Sequence, residues 1–234
     1  MRKIPLSDYS QNTIHTLLSQ IPFFNDLSLH DQQQYELLLK HSTMIELAPK
    51  EQIIKQGTVD QTFYFLLKGQ LDVYPGEAIK GKPINQLSPG QVFGALAIIN
   101  QQPRTASLAA SSDSAATLFA TDFSIFGAID DFSKIKLETK LSFLRIVVNN
   151  TRWKLEVYKM NDPDHQLVRK LDAIARFNGQ KNSREELDSL AEQARQLGDL
   201  LNEWNSSLQG GKGKSGEKSG GLFSILGSIR DSLS

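Results

Sequence analysis

The chain has 234 residues and no cysteine. Disulfides and thiolate metal sites are therefore excluded, which suits a reducing compartment. The four histidines, His15, His30, His41 and His165, show no ligand spacing between any pair, so no metal site is expected. No stretch approaches the roughly 18–20 apolar residues of a spanning helix, and the basic segment Met1–Asp8 lacks an apolar run of signal length. Charge of one sign is missing as well: 26 basic residues balance 26 acidic ones. No face then has the basic excess of a duplex-DNA binder. Nucleophile-elbow motifs are absent, the carboxylates show no pairing that spacing can vouch for, and Gly213-Lys214-Ser215 has Leu208 where a phosphate-binding P-loop needs its first glycine. Asn149-Asn150-Thr151 matches a glycosylation sequon, without meaning in a chain with no secretory signal. The expectation is a non-catalytic cytoplasmic protein with no bound cofactor and no nucleic-acid partner.

What is present falls into distinct textures. Over residues 8–20, Asp8 or Ser10 can cap a helix whose Ile14, Leu17, Leu18 and Ile21 share a face. After Phe23 and Phe24, a second short helix carries Tyr35, Leu37, Leu38 and Leu39. From about Thr43 to Leu118, short β-branched and aromatic runs are broken by Pro49, Gly57, Gly69, Pro75-Gly76, Gly81 and Pro89-Gly90, with a hairpin tip over Pro75 to Lys82. Short strands at that turn spacing predict a sandwich or jelly-roll barrel.

The richest stretch is Phe93-Gly94-Ala95-Leu96-Ala97-Ile98-Ile99-Asn100-Gln101-Gln102-Pro103-Arg104-Thr105-Ala106. A glycine that lets backbone approach an anion, amides at a helix start and an arginine ten residues on together suit a cyclic phosphodiester. The candidate ligand residues are Gly94, Ala95, Leu96, Ala97, Arg104, Thr105 and Ala106. The alternative for Arg104 is a pairing with a nearby carboxylate, leaving a vestigial site.

With Ile21-Pro22-Phe23-Phe24-Asn25-Asp26-Leu27-Ser28, Phe63 through Tyr74 and Leu87-Ser88-Pro89-Gly90-Gln91-Val92-Phe93-Gly94 in this order, roughly residues 20 to 160 resemble the cyclic-nucleotide-binding domain family. That family comprises the β-roll of the bacterial catabolite activators and of the regulatory subunits of cyclic-AMP-dependent kinase. The resemblance implies an α+β fold, a jelly-roll-type β-roll with flanking helices, a long dimerisation helix and a C-terminal helical extension. It also implies a possible cyclic AMP, cyclic GMP or cyclic di-GMP ligand, with Arg104 on the phosphate. In the family a glutamate follows the cassette glycine and accepts from the ribose 2′-hydroxyl; here Ala95 stands there. Losing a hydrogen bond to a charged group costs about 1.5–3 kcal/mol, roughly ten- to 150-fold in affinity, which either turns a sensor into a non-sensor or marks a different ligand whose sugar edge is read otherwise.

From Lys134 to Met160, Leu137, Leu141, Leu144, Val148, Thr151, Leu155 and Tyr158 alternate at spacings of four and three. This is a heptad seam. It suits a homodimer, which the strict spacing favours, or an intrachain stripe against the roll. Thr151 can fix register or face a ligand held by the other subunit. Asn161-Asp162-Pro163-Asp164 stops the helix. A shorter helix follows to Asn178-Gly179, and Ser183 caps a long one with Leu187, Leu190, Ala194, Leu197, Leu201, Trp204 and Leu208 on one face. These form a helical hairpin or extend a dimer bundle. No helix-turn-helix follows, and the final helix carries Glu185, Glu186, Asp188, Glu192, Asp199 and Glu203, which phosphates would repel.

Residues 209–221 read as a flexible Gly/Lys linker. Beyond them Leu222, Phe223, Ile225, Leu226, Ile229 and Leu233 form an apolar stripe at helical spacing. Three readings stand: an anchor on the inner face of the membrane, aided by Lys212, Lys214 and Lys218; a docking peptide for a protein groove, faintly similar to encapsulin cargo tails; or a segment folded back on its own domain. The expected organisation is an N-terminal helix over 1–20, a β-roll over 21–133, a dimerisation helix over 134–160, a helical hairpin over 164–208, the linker over 209–221 and the tail helix over 222–234. A ligand-free dimeric scaffold that docks through its tail, including to an encapsulin-type shell, is the alternative to a sensor.

Overall fold

The computed structural model describes residues 1–210, with side chains to 207; the linker beyond 210 and the tail helix expected over 222–234 lie outside the described residues. Nine strands form two antiparallel sheets. The strands are β1 (Arg2–Ile4), β2 (Ser42–Leu47), β3 (Gln52–Ile54), β4 (Thr62–Lys68), β5 (Leu71–Tyr74), β6 (Asn85–Leu87), β7 (Val92–Phe93), β8 (Ser107–Ala110) and β9 (Ala116–Asp122). One sheet has the order β1-β2-β9-β4-β7 and the other β3-β8-β5-β6. The fold is α+β, an open β-roll flanked by helices.

The alternation along β4 shows why the roll needs both its own interior and a helical layer. Tyr64 and Leu66 point into the roll, with Leu71, Leu87, Leu108 and Leu118. Phe63, Phe65 and Leu67 point the other way, into a core shared with the helices. β4 is thus buried on both faces, as its nearly unbroken apolar run requires. On the helical side, Phe24 meets Phe65 at 5.1 Å and Phe119 at 5.0 Å between ring centres, edge to face. Each such pair contributes about 0.5–1.5 kcal/mol beyond area burial.

Helix α1 (Gln11–Leu18) starts at Ser10, whose Oγ accepts from the Thr13 amide. Two details differ from the sequence reading. β1 pairs with β2 ahead of α1, because Ile4 finds a buried place that a three-residue run cannot advertise. Phe23 and Phe24 lie inside α2 (Pro22–His30), which Pro22 opens at its first position, where the missing N–H costs nothing. α3 (Gln32–Lys40) follows, capped by Asp31. The hairpin tip between β5 and β6 spans residues 75–84.

α4 (Ala95–Ile99), α5 (Leu137–Asn161), α6 (Val168–Ala173) and α7 (Arg184–Gly210) complete the helices of the described residues. The heptad seam does not project outward. Leu141, Leu144, Val148 and Leu155 are buried in the chain's own core together with Leu187, Leu190, Ala194 and Leu197 of α7. Leu137 and Tyr158 are partly buried against the same cluster. The stripe expected to hold a second subunit is filled by α7, because a 27-residue amphipathic helix needs an apolar face of its own to cover.

The pair 164–208 is also more than a hairpin. Arg145 meets Glu186, Arg152 meets Gln193 and Tyr158 meets Asn205. The numbers rise together, so α7 runs parallel to α5, and residues 162–183 carry the chain back between them. That return is tied down by Lys159 on Asp172 at 2.6 Å, Lys170 on Glu203 at 2.8 Å and Arg152 donating to the Ile174 carbonyl at 3.2 Å. Ser183 caps α7 by accepting from the Glu186 amide at 3.1 Å.

Candidate functional site

The cassette begins where β7 ends. Gly94 caps α4 with φ of +85°, and a Cβ there would lie 2.9 Å from Arg104 Nη1 and 3.2 Å from the Thr62 carbonyl oxygen. Only glycine combines that left-handed backbone with so close an approach. α4 then exposes its first turn towards a cavity of about 130 Å³.

Gly94, Ala95, Leu96, Ala97, Arg104, Thr105, Ala106 and Thr151 all line this one cavity. The structure therefore brings together eight residues taken from two distant parts of the sequence. Its floor is the roll interior, including Val73, Leu87 and Leu108; its roof is α5 and α7, through Val147, Thr151, Tyr158, Leu201, Asn202 and Asn205. Ala95 is buried, and Thr151 turns its hydroxyl to the Val147 carbonyl of its own helix at 2.7 Å. Tyr158, expected on a subunit seam, lies in the cavity wall instead. Its hydroxyl donates to Asn205 Oδ1 at 3.1 Å and accepts from Asn85 Nδ2 at 3.5 Å. Burial pushes the phenol up to about 12, so it stays a neutral tie between roll, α5 and α7.

Arg104 is 4% exposed and internally committed. Nε and Nη2 reach Asp60 Oδ2 and Oδ1 at 3.2 and 2.5 Å, and one N–H each of Nη1 and Nη2 goes to the carbonyls of Gly94 and Thr62. Burial opposes the charge on Asp60, but the Arg104 bonds and the Thr62 amide win and hold its carboxyl below the ordinary range. Sequence reasoning left a carboxylate partner open for Arg104 without locating it, since Asp60 lies 44 residues away.

α7 is fastened to the cassette. Asn100, at the end of α4, donates to Asp199 Oδ1 at 3.0 Å and to the Arg195 carbonyl at 3.2 Å. Gln102 reaches Asp199 at 3.4 Å and accepts from Asn202 at 3.4 Å. Gly198 lies at this contact, where a Cβ would stand 2.9 Å from Asn100 Nδ2 and displace that side chain.

Residues 44–123 match the family model of the cyclic nucleotide-binding domain. Over these residues the β-roll of this chain is similar to that family. Similar proteins include the cAMP-dependent protein kinase regulatory subunit of Blastocladiella emersonii, 29% identical over 67% of this chain and 34% of the relative. The corresponding subunit of Debaryomyces hansenii is 33% identical over 42% of this chain and 22% of the relative. The aligned segments thus span only 34% and 22% of those relatives. Among solved structures, the sensor domain of the transcriptional regulator DNR from Pseudomonas aeruginosa is 19% identical, with a TM-score of 0.42, over 72% of this chain and 98% of that one.

The polar cavity residues that sequence reading missed sit mostly on helices: Lys154, Asn150, Asn202 and Asn205, with Asn85 from β6. Lys154 falls three residues after Thr151, so a ligand-facing Thr151 pointed to it by helical spacing. The α7 asparagines carried no such signal, because nothing in the sequence places α7 over the roll. Among the described residues there is no group of three metal-ligating side chains, and no helix is long and apolar enough to cross a membrane.

Proposed function

We propose that the chain is a non-catalytic regulatory protein whose β-roll senses a small phosphate ligand of the cyclic-nucleotide type, in a binding mode altered by Ala95. The observation that carries this reading is the convergence of the cassette, Thr151 and the α5–α7 roof on one cavity. Ligand pockets run roughly 300–1,000 Å³, against about 130 Å³ here. A nucleotide therefore enters only when the roof lifts, and α7, which meets α4 through the Asn100 and Gln102 hydrogen bonds, is the part of the roof that would move. Binding and α7 position are then one equilibrium, which is how a ligand signal leaves the roll.

The output passes to the segment 222–234, whose apolar stripe and preceding lysines suit an anionic membrane surface. Deleting 222–234 is expected to abolish sedimentation with vesicles containing anionic lipid; unchanged sedimentation redirects the tail to a protein groove.

The ligand-free scaffold is favoured by one observation, the pairing of Arg104 with Asp60 and its further donation to the Gly94 and Thr62 carbonyls, which occupy four of its five N–H groups. Thermal unfolding with cyclic AMP, cyclic GMP, cyclic di-GMP or no ligand separates the readings. A ligand at 100 times its Kd adds about 2.7 kcal/mol and raises the midpoint by several degrees. No shift with any of the three at high concentration overturns the sensor.

A further inference from the structure

Two cations line the cavity, Arg104 and Lys154. The first is answered by Asp60. The second has no hydrogen bond or ion pair among the described residues, and no Asp or Glu among the described residues lines the wall. Lys154 lies deep in the molecule yet only half-covered, because its side chain faces the cavity. Loss of water pushes its ammonium down to about 8, with no neighbouring charge contributing.

An unanswered cation in a water-poor place is costly, and a fold keeps one cheaply only where a counter-charge visits. The surroundings say what kind of counter-charge fits. The side-chain amides of Asn150 and Asn205 line the same cavity, and their N–H groups have no acceptor among the described residues. A point charge with several neutral donors around it matches a tetrahedral anion, whose many acceptor oxygens use them all. A floor of Val73, Leu87 and Leu108 suits the apolar body of an organic ester.

We propose that Lys154 on α5, not Arg104, is the residue that takes the anionic group of the cavity's ligand, a small organic phosphate. This rests on the sensor reading above and changes where its charge is read: from the helix that roofs the cavity instead of from the cassette. Arg104 then serves as the internal brace that joins Gly94, Thr62 and Asp60. Because the anchor sits on α5, beside the α7 asparagines, the phosphate pulls on the roof itself.

The test uses the full chain. Amine labelling with acetic anhydride at a pH near the Lys154 value of about 8 is read by peptide mass spectrometry in chloride, in inorganic phosphate, and in cyclic AMP or cyclic GMP. Lys154 is expected to label in chloride and to be protected by phosphate or by the nucleotide, while Lys170 and Lys181 label alike in all. In parallel, calorimetric titration of whichever nucleotide raises the unfolding midpoint is expected to weaken roughly ten- to 150-fold in Lys154→Met and to recover in Lys154→Arg. Equal affinity of Lys154→Met and wild type overturns the anchor and leaves the sensor standing. Protection by phosphate with no nucleotide bound removes the nucleotide reading and supports the anchor. Labelling that neither phosphate nor either nucleotide alters overturns it.

Discussion

Arg104 Nη2 and Asp60 Oδ1 lie 2.5 Å apart, with the guanidinium 3% exposed and the carboxylate 40% exposed. The pair joins the loop before β4 to the end of the cassette, and Arg104 also donates to the Gly94 carbonyl at the turn that starts α4. Removing the guanidinium leaves two carbonyls and a carboxylate without their donor. Breaking a fully buried pair costs about 3–5 kcal/mol, and the half-open side of Asp60 reduces this, so Arg104→Ala is expected to lose about 2 kcal/mol in denaturant unfolding. A loss within about 0.5 kcal/mol, the range of ordinary surface changes, removes the bracing role. Asp60 has its folded carboxyl depressed. Its contribution is therefore present above the unfolded value of about 3.9 and lost as pH falls through the lower folded value. The stability gap between wild type and Asp60→Asn should close on acidification.

Glu186 joins the start of α7 to α5. It is 1% exposed, takes Arg145 at 3.0 and 2.6 Å, and accepts from the Asn182 amide at 2.7 Å. The Arg145 hydrogen bonds hold its carboxyl low despite burial. Glu186→Ala is expected to cost about 2–3 kcal/mol, discounted because Arg145 is part-exposed. The sign with pH is the same: the contribution holds above about 4.3 and fades as pH drops through the folded value. A variant whose unfolding midpoint tracks wild type at neutral pH would place the helix junction elsewhere.

Gly198 sets how closely α7 rests on α4. Gly198→Leu should push the helix away from Asn100 and Leu96, since even a Cβ would come within 2.9 Å of the first and 3.4 Å of the second. Faster amide hydrogen exchange over 95–99 and 195–205, with the roll strands unchanged, is the expected result. Glycine costs about 1 kcal/mol in a helix interior relative to alanine, so global stability should hardly fall. Uniform protection in both proteins would show that α7 does not act as a movable roof.

Leu155 is fully buried between α5, α7 and the roll-facing core. Leu155→Ala should lose about 2–5 kcal/mol through the cavity it leaves, at every protein concentration. An unfolding midpoint that climbs with concentration in wild type, and stops doing so in the variant, would restore the two-chain seam.

The roll was legible because its signals are local. β-branched runs between glycine and proline turns report strands regardless of partner, and Ser10 and Ser183 cap helices through neighbours three residues away. The cassette was legible for the same reason: Gly94 to Ala97 and Arg104 to Ala106 lie in one contiguous stretch and end up on one cavity. The seam was legible as a stripe but not as an address, since Leu141, Leu144, Val148 and Leu155 look the same whether a second chain or α7 covers them.

The sequence by itself determined which faces are apolar, that Ser10 and Ser183 cap their helices, and that a glycine turn precedes Arg104, because each depends on backbone preference and spacing along the chain. The tertiary structure decided the rest: that α7 runs parallel to α5 and roofs the cassette, that Asp60 claims Arg104, and that Lys154 is left facing the cavity without a counter-charge. Those choices depend on which of several equivalent apolar faces meet and how charges from distant segments pair once they do. Hydrophobic burial has no direction of its own, so partners are settled only when the whole core is packed.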